Sequence, residues 1–373
     1  MERGEMIINL EKYKGKFKIV SLAFDEDTKT DLITNGLDVV FISKDEIRLY
    51  PDNLSLSEDR NMIDKLHKAH NYDVYELWEN GRLSKYYDGS SIDNYFFVTA
   101  KCNSNCIMCP SPDYSRQQGG STHVDHLIKI AKHIPSDASH LTITGGEPFL
   151  IGREIFRFIA FLRDKFEYTE FLFLTNGRIF AIDSYVQQFI ETCPQRSLIA
   201  IPIHGSNTKI HDTITQAEAS FDQTVLGIRK LLKAGVHIEL RIVVSKMNVK
   251  DLNNIALLIV NQFSNVEYVS IIAMEMTGSA RVNQEKVWIS YREAAKAAIE
   301  ASMILLKNGI DVKLYNFPLC TVKREFWTLC EKSISTSKVR YGNVCHNCKV
   351  KKSCGGVFAG TMSFEEGELC AVI

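Results

Sequence analysis

The chain has 373 residues, enough for two or three domains, with a formal charge of −1, 45% hydrophobic and 24% charged residues. That balance is ordinary for a globular protein, and with no charge block or basic amphipathic stretch it argues against nucleic acid or a membrane surface as partner. No apolar run reaches about 18 residues, so no membrane span is expected.

The opening Met1-Glu-Arg-Gly-Glu-Met6 leads into no signal-peptide core. Ten cysteines without a secretion signal point to a reducing, cytoplasmic setting and to metal binding rather than disulfides. Residues 1 to about 90 read as a small α+β domain. Phe17 to Phe24, Asp38 to Ser43 and Glu46 to Tyr50 look like short strands, and Asp59 to Tyr72 like a helix. His67 and His70 could share one helical face there, but no cysteine or third histidine accompanies them, so surface positions are expected. A docking or shielding role, including binding of a peptide leader, is the expectation for this region.

From Asn94 the pattern becomes strand then helix, six times over. The strands are 95–99, 140–144, 170–175, 197–203, 237–245 and 268–274; the helices are 124–133, 153–165, 183–192, 221–233, 250–263 and 291–306. Apolar residues recur at three- and four-residue spacing in the helices, and the strands are short apolar runs. Such alternation builds a parallel sheet with outer helices. The expected fold class is α/β, with residues 91–310 as a partial (β/α)6 barrel flanked by an N-terminal domain (1–90) and a cysteine-rich tail (311–373).

Directly after the first strand stands Ala100-Lys-Cys-Asn-Ser-Asn-Cys-Ile-Met-Cys-Pro110, with Cys102, Cys106 and Cys109 spaced C-x3-C-x2-C. Three thiolates on one loop can hold three irons of a [4Fe–4S] cube and leave the fourth open to a ligand. A zinc site or buried free thiols are the alternatives. The position favours chemistry, because barrel active sites gather at the carboxyl ends of strands. The second strand ends in Thr144-Gly-Gly-Glu-Pro148. Gly145 and Gly146 allow close backbone approach, and Glu147 presents a carboxylate at the strand end.

Further along, Asn176-Gly177 ends the third strand and is also a common turn pair. His204 ends the fourth. Arg241 interrupts an apolar strand and so needs a partner. That partner is a bound carboxylate, held bidentately, or an ion pair with Glu239 or Glu275. In the tail, Cys345-His-Asn-Cys348 and Cys354 give C-x2-C-x5-C, and Cys320 follows a strand-like run from Val312. These four thiols suit a second [4Fe–4S] cluster, with zinc as the alternative and Cys330 or Cys370 able to replace Cys320. Cys193 reads as a plain thiol.

The cysteine loop and the Gly-Gly-Glu-Pro turn together resemble the radical S-adenosylmethionine (SAM) superfamily. Narrower matches extend the resemblance from Phe96 to about Gly360. They include Leu174-Thr-Asn-Gly-Arg178, Ile201-Pro-Ile-His204, Glu239 to Val244, Met274 to Arg281 and the tail cysteines. Together they are similar to the His-Xaa-Ser system radical SAM maturases, a peptide-modifying group with an auxiliary cluster. The resemblance implies SAM on the open iron of the Cys102–Cys106–Cys109 cluster, reductive cleavage to a 5′-deoxyadenosyl radical, and hydrogen abstraction from a ribosomally made peptide. It implies SAM contacts from Glu147 (amino group), Arg241 (carboxylate), Asn176, His204 (ribose) and Met108. The family usually carries an aromatic residue at that last position. The implied partners are a precursor peptide rich in His-Xaa-Ser repeats, a second radical SAM protein and an electron donor such as flavodoxin or ferredoxin. A radical SAM enzyme acting on a small metabolite, and a non-catalytic metal-binding scaffold, are the competing readings.

Overall fold

The computed structural model describes residues 8–364 and 367–373. The Met1–Met6 stretch read for targeting therefore lies outside the described residues. Two large sheets organise the chain.

The first is seven-stranded, in the order β1-β7-β6-β2-β3-β4-β5. Its strands are β1 (Ile8–Asn9), β2 (Lys18–Ala23), β3 (Val39–Ile42), β4 (Ile47–Tyr50), β5 (Leu54–Ser57), β6 (Val74–Leu77) and β7 (Arg82–Tyr87). Only β2 and β3 pair in parallel, joined by α1 (Glu26–Thr34), which Asp25 caps at the Thr28 amide. The second helix, α2 (Arg60–Leu66), stops six residues short of the expected Tyr72. The next residues are spent on a turn, where Tyr72 takes a positive φ and Asp73 accepts the His70 amide. His70, Asp73 and Asp88 do converge there. The Lys85 ammonium already sits 2.7 Å from Asp73 and 3.0 Å from Asp88, filling the place of a cation.

The second sheet is parallel throughout and curls into a half-barrel. Its strands stand in chain order: β8 (Tyr95–Phe97), β9 (His140–Thr144), β10 (Glu170–Leu174), β11 (Ser197–Pro202), β12 (Ile238–Val244), β13 (Tyr268–Ala273), β14 (Val312–Tyr315) and β15 (Cys330–Glu331). Between them run α3 (Asp113–Gln118), α4 (Val124–His133), α5 (Glu154–Lys165), α6 (Asp183–Thr192), α7 (Thr208–Thr215), α8 (Ser220–Lys233), α9 (Leu252–Gln262), α10 (Gly278–Val282), α11 (Gln284–Val287) and α12 (Tyr291–Lys307). The strand-like run after Val312, read with the tail, joins this sheet as a parallel neighbour of β13.

Local chemistry explains the elements. In α4, Val124, Leu127, Ile130 and Ala131 are buried on one face, the three- and four-residue recurrence of a helix lying on a sheet. The helix α12 starts at Ser290, whose hydroxyl accepts the Glu293 amide. Beneath the carboxyl ends of β9 and β10, Phe149, Phe180, Phe189 and Phe173 stack edge to face at 4.9, 5.6 and 5.3 Å. Each such ring contributes about 1.5–3 kcal/mol by leaving water. This cluster fixes the floor under the candidate site.

The two sheets meet along α4. Ser21 bonds the His133 Nδ1 at 2.9 Å, His126 meets Glu76 at 2.9 Å, and Ile19 and Val74 join the barrel's own core. After β15 a short hairpin of β16 (Val339–Arg340) and β17 (Val357–Phe358) frames the last cysteines. Among the described residues no helix is long and apolar enough to cross a membrane.

Candidate functional site

The chain leaves the sheet after β8 and returns to the same place. Ala100 donates to Gly120 O at 2.9 Å, Thr122 to Val98 O at 2.8 Å, and the Thr99 and Ser121 hydroxyls bond at 2.7 Å. The twenty-odd residues between form a closed excursion carrying Cys102, Cys106 and Cys109. Gly145 and Gly146 pass directly beneath. A Cβ on Gly145 would lie 2.4 Å from Thr99 O, and one on Gly146 2.3 Å from Lys101 O. The absence of side chains lets Gly146 and Glu147 donate their amides to Thr99 O and Lys101 O at 2.7 and 2.8 Å.

Other elements hold the excursion from its sides. Asn105 and Ile107 donate to Thr215 O and Ile214 O at the end of α7. The Ser279 amide donates to Cys109 O at 2.9 Å, and Asn283 Nδ2 to Ile107 O at 3.1 Å. Gly278 adopts φ +53° with its Cα against Pro110 O, where a Cβ would be 2.1 Å away. Two arginines complete the frame. Arg178 reaches Asn103 O and Ser104 Oγ, and Arg116 reaches Asn105, Ser111 O and Ser279.

The sulfurs of Cys102 and Cys106 are largely withdrawn from water. Burial pushes the Cys102 thiol up to about 11 and Cys106 up to about 12; Arg116 is a cation that opposes both shifts. Thiols so placed become thiolates through a bound metal, which displaces their protons. Cys102 Sγ accepts the Ser104 amide at 3.4 Å and faces Asn176 Nδ2 at 4.0 Å. N–H donors on sulfur suit a metal thiolate, and hydrogen bonds of this kind tune an iron–sulfur potential. The donor set and the glycine floor therefore fit the cluster expected from the spacing.

A cleft of about 480 Å3 opens beside the excursion. Cys106, Met108 and Cys109 form one wall, and His204, Arg241, Glu275 and Asn316 lie opposite or below. His204 is buried, its amide donates to His211 Nδ1 at 3.2 Å, and its own Nδ1 has no partner. Burial, helped by His211, pushes it down to about 3, so the ring is neutral. Met108 fills a hydrophobic cluster with Met274, Met276 and Ile214 while its edge lines the cleft.

Arg241 lines the cleft too, but its guanidinium is held by Glu239. Nε and Nη2 lie 2.8 and 3.0 Å from the two carboxylate oxygens, so this partner, one of the two weighed from sequence, is the one it takes. Glu239 is fully buried and also accepts from Ser270 at 2.6 Å. Below this pair a second chamber opens at the amino ends of the strands; it shares Arg241 and Tyr315 with the upper cleft. Glu275 faces the upper cleft with its carboxyl raised by burial.

Glu147 does not line the cleft. Its carboxylate accepts from Thr175 Oγ1 at 2.8 Å, the Asn176 amide at 2.7 Å and the Phe149 amide at 3.2 Å, latching the end of β9 to the end of β10. Burial raises its pKa against these hydrogen bonds. Asn176 spends its side chain on Asn103 Oδ1 at 2.6 Å and on Cys102.

In the tail, five cysteines line one small pocket of about 20 Å3: Cys320, Cys345, Cys348, Cys354 and Cys370. Cys354 Sγ accepts the Leu319 and Gly356 amides, and Cys348 Sγ the Val372 amide, all at 3.4 Å. Cys370 lies beside Cys320, and Arg292 reaches its sulfur at 3.6 Å. Cys330 does not line the pocket; its sulfur faces Phe326 O at 3.8 Å. Cys193 caps the end of α6, away from both sites.

Arg116 carried no signal in the sequence, since one arginine in a polar stretch looks like a solvated residue. Cys370 carried a faint one, as a cysteine sixteen positions after the last of the spaced set.

Residues 96–259 match the family model described as the Radical SAM superfamily. The antilisterial bacteriocin subtilosin biosynthesis protein AlbA of Bacillus subtilis is 27% identical over 165 residues, covering 43% of this chain and 35% of AlbA. An AdoMet-dependent heme synthase of Methanosarcina barkeri is 27% identical over 156 residues, covering 42% of this chain and 43% of the synthase. The matched region thus spans less than half the length of these curated relatives. The crystal structure of Streptococcus suis SuiB bound to S-adenosylmethionine shares the fold, with a TM-score of 0.50 at 11% identity, over 68% of this chain and 54% of SuiB.

Proposed function

We propose that this chain, a member of the radical SAM superfamily, is a maturase that modifies a ribosomally made peptide. The observation that carries the reading is the closed excursion with three half-buried thiols at the carboxyl end of a parallel sheet, beside a cleft of a size that suits a small-molecule cofactor. When bound, a [4Fe–4S] cluster with SAM on its open iron supplies the electron that cleaves SAM to a 5′-deoxyadenosyl radical, the abstractor of a substrate hydrogen atom.

The chain's own residues have separable tasks in this reading. Cys102, Cys106 and Cys109 hold the cluster, and Ser104 and Asn176 donate toward Cys102. Gly145 and Gly146 let the floor approach. His204, neutral and with its Nδ1 buried and unpartnered, lines the cleft. Glu239 orients Arg241, whose remaining edge is available to an anionic group such as the SAM carboxylate. Glu147 is buried and engaged by Thr175 at both oxygens and by the Asn176 and Phe149 amides, so it would meet the SAM amino group only by giving up one of these bonds. Met108 packs the wall against which adenine would lie.

The tail pocket is read as a second [4Fe–4S] site, with Cys345, Cys348 and Cys354 as ligands and Cys320 or Cys370 as the fourth; zinc is the alternative metal. The seven-stranded sheet is read as the docking or shielding element. The proposed partners are a precursor peptide rich in His-Xaa-Ser repeats, a second radical SAM protein and a flavodoxin- or ferredoxin-like donor. The similarity to AlbA, named for bacteriocin biosynthesis, supports a peptide substrate. The similarity to heme synthases supports a second reading, chemistry on a small metabolite.

Anaerobic reconstitution with iron and sulfide, an iron count and a 5′-deoxyadenosine assay with dithionite test the first half. About eight irons with deoxyadenosine formed are expected, since each cube holds four. No deoxyadenosine formation would sink the catalytic reading and leave a metal-binding scaffold. Mass spectrometry of a co-expressed precursor peptide tests the second half. An unmodified peptide alongside full SAM cleavage would favour the metabolite reading.

A further inference from the structure

We propose that Arg116 is a positioning residue for the loop cluster and that its buried charge raises the potential at which that cluster accepts an electron. The inference rests on the assignment of the cluster to Cys102, Cys106 and Cys109.

Arg116 lies in α3, inside the excursion itself, and its side chain is only 3% exposed. Its guanidinium ties three segments of the chain together around the sulfurs. Nε donates to Asn105 Oδ1 at 3.2 Å, and Nη2 bonds the same oxygen. Asn105 immediately precedes Cys106. Nη1 donates to Ser111 O, two residues after Cys109. Nη2 also reaches Ser279 Oγ at 3.1 Å, on the residue whose amide holds Cys109 O. A planar fork with five donors can make this set of contacts; a lysine ammonium can make only part of it.

The charge balance is unusual. Every close partner of the guanidinium is neutral except Asp113, which stands 3.4 Å away and is half-exposed. A buried cation so weakly compensated costs several kcal/mol unless further negative charge lies near. Three thiolates on a cluster, on the loop this arginine encloses, supply that charge. The sign of the redox effect follows. Reduction adds one negative charge to the cluster, and a fixed cation nearby stabilises the reduced form more than the oxidised form. Asp113, also near, acts in the opposite direction.

The test is an anaerobic redox titration of the reconstituted full chain, followed by electron paramagnetic resonance. The signal to track is the one that changes when SAM is added, because only an open iron binds it. Wild type is compared with R116Q, R116K and D113N. The potential is expected to move more negative in R116Q and less negative in D113N. In R116K it is expected to stay near wild type while the iron retained per chain falls. R116Q and D113N both at the wild-type potential would overturn the inference. If R116Q fails to fold or to take up iron, an unmoved potential in D113N overturns it alone. A wild-type chain with no SAM-responsive signal would instead sink the cluster assignment, and this inference with it.

Discussion

Replacing Gly146 by alanine tests the floor of the site. The new Cβ would stand 2.3 Å from Lys101 O and 2.6 Å from Ala100 O, whereas ordinary contacts begin at about 3.4 Å. Both oxygens are backbone, so no side chain can swing away. The entry of the cysteine excursion must move by roughly 1 Å, straining the bonds from Gly146 and Glu147 to Thr99 O and Lys101 O. Overpacking of this kind costs about 1–3 kcal/mol. At about 1.4 kcal/mol per decade, that shifts the balance between the formed and deformed loop by about 5- to 150-fold. Two measurements follow: the urea midpoint of the metal-free chain, and iron retained per chain after reconstitution and desalting. Both should fall. Gly120 is the control, because its Cβ would meet nothing within 4 Å and its backbone is unstrained. G120A should stay within about 0.5 kcal/mol of wild type. G146A with wild-type midpoint and iron, or G120A equally damaging, would refute the close-approach argument.

Further outcomes can be checked. Alanine at Cys102, Cys106 or Cys109 should abolish 5′-deoxyadenosine formation while thermal unfolding stays close to wild type; SAM cleavage surviving all three changes would remove the loop from the chemistry. In the tail, C345A or C354A should lose the second site's metal, read as iron or zinc per chain. Of C320A and C370A, the one that loses it identifies the fourth ligand; retention in both would mean that each sulfur can substitute for the other. Acid stability should register His133, which burial pushes down to about 4 from an ordinary 6.5. A folded pKa below the unfolded one means that the unfolded chain binds the proton first. The contribution is therefore full above about pH 6.5 and is lost as pH falls toward 4, by roughly 3 kcal/mol in total. Urea midpoints of H133N between pH 7 and 4.5 should fall less steeply than those of wild type, and parallel curves would contradict this.

The barrel was legible because parallel strands covered on both faces read as unbroken apolar runs, and their helices as one-sided stripes. Ile238–Val244 and Tyr268–Ala273 fall within one or two residues of their expected limits. The N-terminal third was less legible. In β7, Arg82-Leu-Ser-Lys-Tyr-Tyr is half polar, and its pairing with β1, more than seventy residues earlier, has no local signal. The helix α1 buries only Thr28 and Leu32, so its stripe is too thin to stand out. At the site, spacing identified the thiols but not their supports. Arg241 illustrates the limit. Sequence reasoning required a partner for it and named two carboxylates besides a ligand; only the fold shows that Glu239, two residues back on the same face of β12, closes a bidentate pair.

The segment from Met274 to Val287 links the two cysteine sets, and its composition follows from that position. On one side it meets the excursion, through Gly278 against Pro110 O and the Ser279 amide on Cys109 O. On the other it meets the tail, where the Met276 amide donates to the buried Thr361 hydroxyl at 3.1 Å and Gly360 lies against Thr277 and Met276. Small residues stand where backbone meets backbone, and Met274 and Met276 fill the irregular space around Met108, a use to which flexible thioethers are suited. The tail therefore braces the same segment that grips Cys109. A change that unravels the tail pocket loosens the roof of the first site without touching any of its three thiols. For that reason the tail variants need the loop cluster's iron and spectrum measured alongside their own.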